Sequence, residues 1–334
     1  MSSENVSRRD FLNRSLAAAG TVGAVAATSA AGEPAAAPAA QAQTQPQPVK
    51  AGTLPCGMLG KAKISRMLLG GNLIGGWMHC RDLSYVNSLF RAYATDEKII
   101  QTLKLAEECG INTVFETGGN FITEYNRRYN GHMQFIPHIQ IDTAQTTQAL
   151  ADHIKQQVDT GAIALYTWGV STDPLIRDGD VKTLARAVEM AKKHGLPVGV
   201  GGHSFQVPVQ CEKHGVPCDF YVKTFHTDDY FSATPKELRK DFAWLGGAKG
   251  WYDNMWCLDA DEVAGFMKTV AKPWIAFKIL AAGAIPPAQA FPHAFKNGAD
   301  FVAVGMFDFQ VKANCHLLEQ AVKRHQKRER PWRA

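Results

Sequence analysis

The sequence predicts an α/β fold, a closed (β/α)8 barrel, on three observations. Eight short apolar runs alternate with helix-like segments over about 260 residues, the number and length that such a barrel needs. Three of the runs, Asp219 to His226, Pro273 to Gly283 and Asp300 to Asp308, end in polar or glycine residues, as expected of parallel strands whose C-terminal ends share one mouth. No Gly-x-Gly-x-x-Gly opens a helix after the first run, so an open doubly wound dinucleotide-binding sheet lacks its main signal.

In chain order, Arg66 to Asn72 is the first expected strand. Thr95 is placed to cap a helix with Ile99, Leu103 and Ala106 on one face, ended by Gly110. Asn112 to Glu116 and Gln134 to Asp142 are the second and third strands. Leu150, Ile154 and Val158 give 147–158 a helical stripe, and Ala162 to Trp168 is the fourth strand. Asp180 caps a helix carrying Val181, Leu184, Val188 and Ala191, which Gly195 stops. Leu196 to His203 is the fifth strand. Asp219 to His226, Pro273 to Gly283 and Asp300 to Asp308 are the sixth, seventh and eighth. Val311, Cys315, Leu318 and Val322 mark the last helix.

Two connections are long for a compact domain, a feature that accompanies function. Leu73 to Ala94 follows the first strand; Thr227 to Leu258 follows the sixth and carries Tyr230, Phe231, Phe242, Trp244, Trp251, Tyr252 and Trp256. These aromatics form either a satellite apolar cluster or a lid suited to stacking on a sugar.

The ends of the chain differ from the middle. Six Lys/Arg and one Glu lie between Lys323 and Arg333, which leaves the net charge of +5 mostly in the tail and no basic face for nucleic acid. The tail, 326–334, reads as a solvated helix end. Seven dispersed cysteines without a C-x-x-C pair indicate neither a zinc knuckle nor a redox pair, although Cys211 and Cys218 are close enough in sequence to join outside the cytoplasm. Ser7-Arg8-Arg9-Asp10-Phe11-Leu12, followed by the mildly apolar 16–31, resembles a twin-arginine export signal. The resemblance implies periplasmic or extracellular localisation, with the twin-arginine translocase as partner during export and no membrane span after cleavage following Ala30, Ala31 or Ala42. Residues 1–31 are thus expected as signal, 32–50 as an Ala/Pro/Gln-rich linker and 51–325 as the barrel.

Leu68 to Trp77, Cys109 to Thr117 and Gly298 to Met306 resemble the first, second and eighth strands of the aldo/keto reductase superfamily, a TIM-barrel family. Its tetrad does not carry over residue by residue. The Asp falls on Glu116, the Tyr on Phe121, the Lys among His138, Ile139 and Gln140, and the His near Gly169. Phe121 has no proton to give to a carbonyl, leaving Tyr125 or His138 as substitutes. Asp219 to Thr224 and Ile275 to Gly283 resemble strands six and seven of Schiff-base aldolases of the deoxyribose-phosphate type, with Lys223 at the imine-forming position and Lys278 at the second lysine. In such a site one ammonium depresses the pKa of the other.

The expected function is that of an exported enzyme acting on a carbonyl-containing small molecule, a sugar derivative, by carbon–carbon cleavage, isomerisation or elimination. Lys223 would be nucleophile or base, Lys278 its partner, and Glu116 or His226 the proton shuttle. Trp251, Trp256, Tyr230 and Trp168 would contact substrate. Glu116, Lys223 and Lys278 are expected in one pocket roofed by 227–258. Four alternatives remain open at this stage. Glu116, His138, His203 and His226 are candidate ligands of a divalent metal in an isomerase or epimerase. The others are a divergent reductase, a non-catalytic sugar-binding barrel, and lysines that pair structurally with Glu116 or Asp308. Glycines after strands seven and eight occupy a phosphate-binding corner. Export nevertheless disfavours phosphosugars and an exchanging NAD(P).

Overall fold

The computed structural model describes residues 50–78, 83–242 and 256–334. A hairpin, β1 (Cys56–Leu59) and β2 (Ala62–Ser65), precedes the barrel. There follow β3 (Met67–Gly70), α1 (Asn72–Gly75), α2 (Ser84–Tyr93), α3 (Asp96–Glu108), β4 (Thr113–Glu116), α4 (Gly119–Tyr129), β5 (Gln134–Ile139) and α5 (Thr147–Asp159). Next come β6 (Leu165–Thr167), α6 (Gly169–Arg177), α7 (Val181–Lys192), β7 (Val198–Gly202), α8 (Gln206–Lys213) and β8 (Phe220–Thr224). The chain continues with α9 (Ala260–Thr269), β9 (Trp274–Phe277), α10 (Pro287–Lys296), β10 (Phe301–Val304) and α11 (Asp308–Arg324).

Strands β3 to β10 are all parallel and close into an eight-stranded barrel, β10 pairing with β3 through Val302 opposite Met67. The expected (β/α)8 architecture is therefore present. Thr95 and Asp180 cap α3 and α7 as their side-chain chemistry suggests, each accepting a backbone N–H three residues on. The hairpin β1–β2 and the helices α1, α2, α4, α6 and α8 add elements that hydrophobic periodicity did not mark.

Strand alternation divides the barrel side chains into two sets. Leu68, Phe115, Ile136, Tyr166, Phe220, Val222, Ile275 and Phe301 fill the interior. Leu69, Val114, Phe135, Leu165, Val200, Tyr221, Ala276 and Val302 face the helices. Leu59 and Ile64 of the hairpin join the interior set. The Lys63 carbonyl accepts from Asn112 Nδ2 and Gln134 Nε2 at the starts of β4 and β5. The hairpin thus closes the N-terminal end, and open space is left at the C-terminal mouth. Among the described residues no helix is long and apolar enough to cross a membrane.

The C-terminal tail is not the solvated helix end expected from its charge. It folds back onto Asp300, whose carboxylate is fully buried. Arg330 Nη1 donates to Asp300 Oδ2 at 2.8 Å, Arg328 Nη2 to Oδ1 at 3.0 Å, and the backbone N–H of Arg333 to Oδ1 at 2.8 Å. Trp274 N, at the start of β9, donates to Oδ2 at 3.0 Å. Arg330 spends its other guanidinium hydrogens on the carbonyls of Met267, Gly298 and Lys272. Trp332 lies between Arg66 and Arg328, 4.2 and 3.6 Å from its ring. Two of the basic residues in this run, Arg328 and Arg330, neutralise one internal carboxylate, while Lys323, Arg324, Lys327 and Arg333 stay exposed.

Removing one partner of such a network leaves charges buried without compensation. Asp300→Ala should lower unfolding free energy by roughly 3–5 kcal/mol, read as a fall in the urea midpoint. An unchanged midpoint would show that the tail is only loosely attached.

Candidate active site at the barrel mouth

A cavity of about 270 Å3 opens over the C-terminal ends of β9, β10, β3 and β4. Its floor is Phe115, Phe277 and Ala303. Backbone of Gly70–Asn72, Ala282–Gly283 and Gly305–Phe307 forms its walls. Trp77, Met78 and Phe90, from the connection after β3, cover it. That connection is held down by Asp308 at the start of α11, which accepts from Tyr93 Oη at 2.5 Å and from Lys98 Nζ at 3.1 Å. Asp308 is thus paired with Lys98, not with either strand-end lysine.

Two ionisable groups line this cavity, Glu116 and Lys278. By alternation both should point outward, because Phe115 and Phe277 before them point in. Each instead leaves its strand with a left-handed backbone, φ 88° at Glu116 and 55° at Lys278. Such a conformation costs a residue with a Cβ on the order of 1–3 kcal/mol. Here it brings two consecutive side chains of β4, and two of β9, to the same mouth.

Lys278 is the group with the strongest chemical consequence. Loss of hydration in the cavity disfavours its ammonium, and the opposing charge of Glu116 offsets this only in part. The pKa is pushed down to about 8. The Nζ lies 4.0 Å from the centre of the Trp256 ring. Glu116 is fixed from the other side: Trp168 Nε1 donates to its Oε1 at 2.8 Å. His138 stacks on Trp168 with ring centres 4.7 Å apart, and its Nδ1 lies 3.0 Å from the Glu116 carbonyl. Burial lowers the His138 pKa. Trp168, expected against substrate, therefore orients Glu116.

Lys223 does not join them. Phe220 and Val222 face the interior, so Lys223 faces outward, above Gly202 in the neighbouring strand. It lines a separate cavity of about 200 Å3 with Ser204, Asp241, Phe242 and Trp256. Its Nζ donates to Thr224 O and Oγ1 at 2.7 and 2.8 Å. Burial lowers its pKa, and the charges acting on it are those of Cys257, Asp173 and Asp241. The expected single pocket with two coupled lysines is replaced by one lysine in each of two cavities.

The histidines are likewise separated. His226 spends both ring nitrogens locally: Nδ1 donates to Thr227 O at 2.8 Å, and Nε2 accepts from Cys257 N at 3.1 Å. It ties the two ends of the long connection together, and neither ring nitrogen is left over for the expected role of proton shuttle. Tyr230 packs edge-on against His226 and lies outside both cavities. His203 is held by Asp173, which accepts Nδ1–H at 2.8 Å and also the backbone N–H groups of His203 and Ser204. The ring fits because residue 169 is glycine; a Cβ there would stand 2.9 Å from His203 Cε1. Among the described residues no group of three His, Cys, Asp or Glu could hold a metal, so Glu116, His138, His203 and His226 do not form the expected ligand set.

The expected roof also changes place. Of the connection after β8, residues 240–242, Trp256 and Leu258 border the second cavity. Trp251, with Trp244 and Tyr252, lies outside the described residues. Phe121 packs in the layer between barrel and helices, and Tyr125 is buried there with its hydroxyl on Glu107. Neither reaches the mouth to supply the reductase proton. Cys211 and Cys218 are free thiols. Asp173 is a contributor that sequence reading missed, whereas the connection after β3 was marked by its length. Asp173 acts from within a helix, where no spacing ties it to His203.

No protein-family model matches the chain, and no curated protein matches it. Among solved structures, a protein assigned as an aldo-keto reductase from Pseudomonas aeruginosa is 16% identical, with a TM-score of 0.52 over 80% of this chain and 95% of that one. A second structure with the same assignment and source is 15% identical with the same TM-score and coverage. Mandelate oxidase follows at 12% identity and a TM-score of 0.46, over 84% and 79% of the two chains. At these identities the likeness is one of barrel fold.

His203 and His226 are both pushed down to about 4, chiefly by burial. Their unfolded forms take up a proton near the ordinary 6.5, which the folded forms refuse until about 4. Stability should therefore be full above pH 6.5 and fall between pH 6.5 and 4. Urea unfolding across that range checks this, and His226→Asn should flatten part of the slope.

Proposed function

We propose that this protein is an enzyme that acts at the carbonyl carbon of a small molecule, with Lys278 as the reacting amine. The observation that carries the reading is a lysine pushed down to about 8 in a cavity it shares with one carboxylate. Near neutral pH a useful fraction of that amine is uncharged and nucleophilic. Its lone pair attacks the carbonyl carbon, the carbonyl oxygen takes up a proton, and water leaves to give an imine. The protonated imine then accepts the electron pair released when a bond to the neighbouring carbon breaks. Glu116 receives a proton from that carbon, or returns one, and water hydrolyses the imine to free Lys278. Isomerisation and carbon–carbon cleavage both follow from this one intermediate. Trp168, holding Glu116 through Oε1, keeps the carboxylate aimed while protons move.

Lys278 takes the role first expected of Lys223, and its low pKa comes from burial rather than from a second ammonium. The reductase alternative has less support, since Phe121 and Tyr125 are packed away from the mouth and His138 alone remains as a substitute donor. The Arg8-Arg9 motif supports export of the folded protein from the cytoplasm as part of the same proposal.

Borohydride reduction in the presence of an aldehyde should leave a covalent adduct on Lys278. Lys278→Ala should abolish the adduct and Lys223→Ala should retain it. The trapping rate should rise about tenfold per pH unit below 8 and level off above it, because only the deprotonated amine attacks. Glu116→Gln should slow turnover by roughly 10²-fold while leaving trapping in place. An adduct on Lys223, or a rate flat from pH 6 to 9, would overturn the assignment.

A further inference from the structure

Resting on the Lys278 reading, we infer that the cavity selects an uncharged, largely apolar carbonyl compound, of the aryl or bulky alkyl aldehyde or ketone class, and not a sugar. The walls carry the inference. Trp77, Phe90, Phe115 and Phe277 line the space. An apolar cavity of about 150 Å3 is enough for benzene. At about 270 Å3 this one has room for a ring plus a short chain or a fused ring.

Polar side chains on the wall are few, and the rest of its polar groups are backbone of the turns at Gly70–Asn72, Ala282–Gly283 and Gly305–Phe307. Asn72, Glu116, Lys278 and Gln310 are the polar side chains on the wall. Gln310 Oε1 is already spent on Phe307 N at 2.9 Å, and Glu116 Oε1 on Trp168. A sugar has several hydroxyls, each needing a partner once out of water. An unpaired one costs on the order of 1–3 kcal/mol. A carboxylated or phosphorylated substrate fits no better. The cavity wall holds a single basic side chain, Lys278, and the imine step needs it neutral, while Glu116 would repel a second negative charge in the same poorly solvated space.

Gly305 supplies a variant that blocks the cavity without disturbing the fold. A Cβ at Gly305 would meet only Asn72 Cβ, at 3.9 Å, and its backbone is not left-handed. Gly305→Leu should therefore project a side chain into the free space.

Binding of 2-naphthaldehyde, ribose, glyceraldehyde 3-phosphate and phenylpyruvate is measured by calorimetry on the purified chain, with the non-reacting 2-methylnaphthalene as a fifth probe. The expected result is that both naphthalenes bind at least tenfold more tightly than the other three. Gly305→Leu should weaken the naphthalenes at least tenfold with an unchanged circular dichroism spectrum. Lys278→Met should leave 2-methylnaphthalene binding within about threefold, because that probe needs only the apolar walls. Preference for ribose or either anion would overturn the inference. So would indifference to Gly305→Leu, or no saturable binding of either naphthalene. If 2-methylnaphthalene binds as expected but 2-naphthaldehyde gives no adduct on reduction, the imine reading fails while the apolar selectivity stands.

Discussion

Closing eight parallel strands on themselves leaves each strand side chain two destinations, the barrel interior or the layer beneath the helices. That alternation decides which groups can meet at the mouth. Phe220 and Val222 point in, so Lys223 points out; Phe277 points in, and Lys278 would point out as well. Only the left-handed backbone at Lys278 breaks the rule, and the same break at Glu116 brings its carboxylate to the same space. The site exists because two strands end in strained turns.

Burial then supplies the chemistry. Phe277, Trp256 and the cover of Trp77, Met78 and Phe90 crowd Lys278 and reduce its hydration. The cover stays in place because Asp308 holds Tyr93 and Lys98 beside the start of α11. At the opposite end, Asp300 binds the tail and β9 together, which fixes the strand that carries Lys278. One carboxylate thus organises each end of the barrel, Asp300 buried and Asp308 half-buried.

Much of the fold was legible in the sequence. Eight apolar runs with capped helices between them specified the barrel, because burial on both faces leaves a run of Val, Ile, Leu and Phe that polar segments interrupt. Helices α6 and α8 were missed because they are short and carry an internal proline, Pro174 and Pro208. Two of the site's ionisable groups, Glu116 and Lys278, were visible as polar residues at strand ends. Their meeting, and the exclusion of Lys223, depended on backbone angles that residue identity does not reveal, since neither Glu116 nor Lys278 is the glycine that normally marks φ > 0. The tail was misread in part for a related reason: Arg328 and Arg330 look as solvated as their four exposed basic neighbours until Asp300, just before β10, is known to be inside.

The central claim is that Lys278 is an amine held near neutrality by desolvation. Direct titration of its Nζ or Cε by NMR, in protein carrying isotope-labelled lysine and assigned with Lys278→Arg, tests it without any substrate. The structure predicts one lysine resonance, lost in that variant, with a midpoint at about 8. A midpoint for Lys278 near the ordinary value, about 10.4, would contradict the claim and with it the assignment of this cavity as the reacting centre.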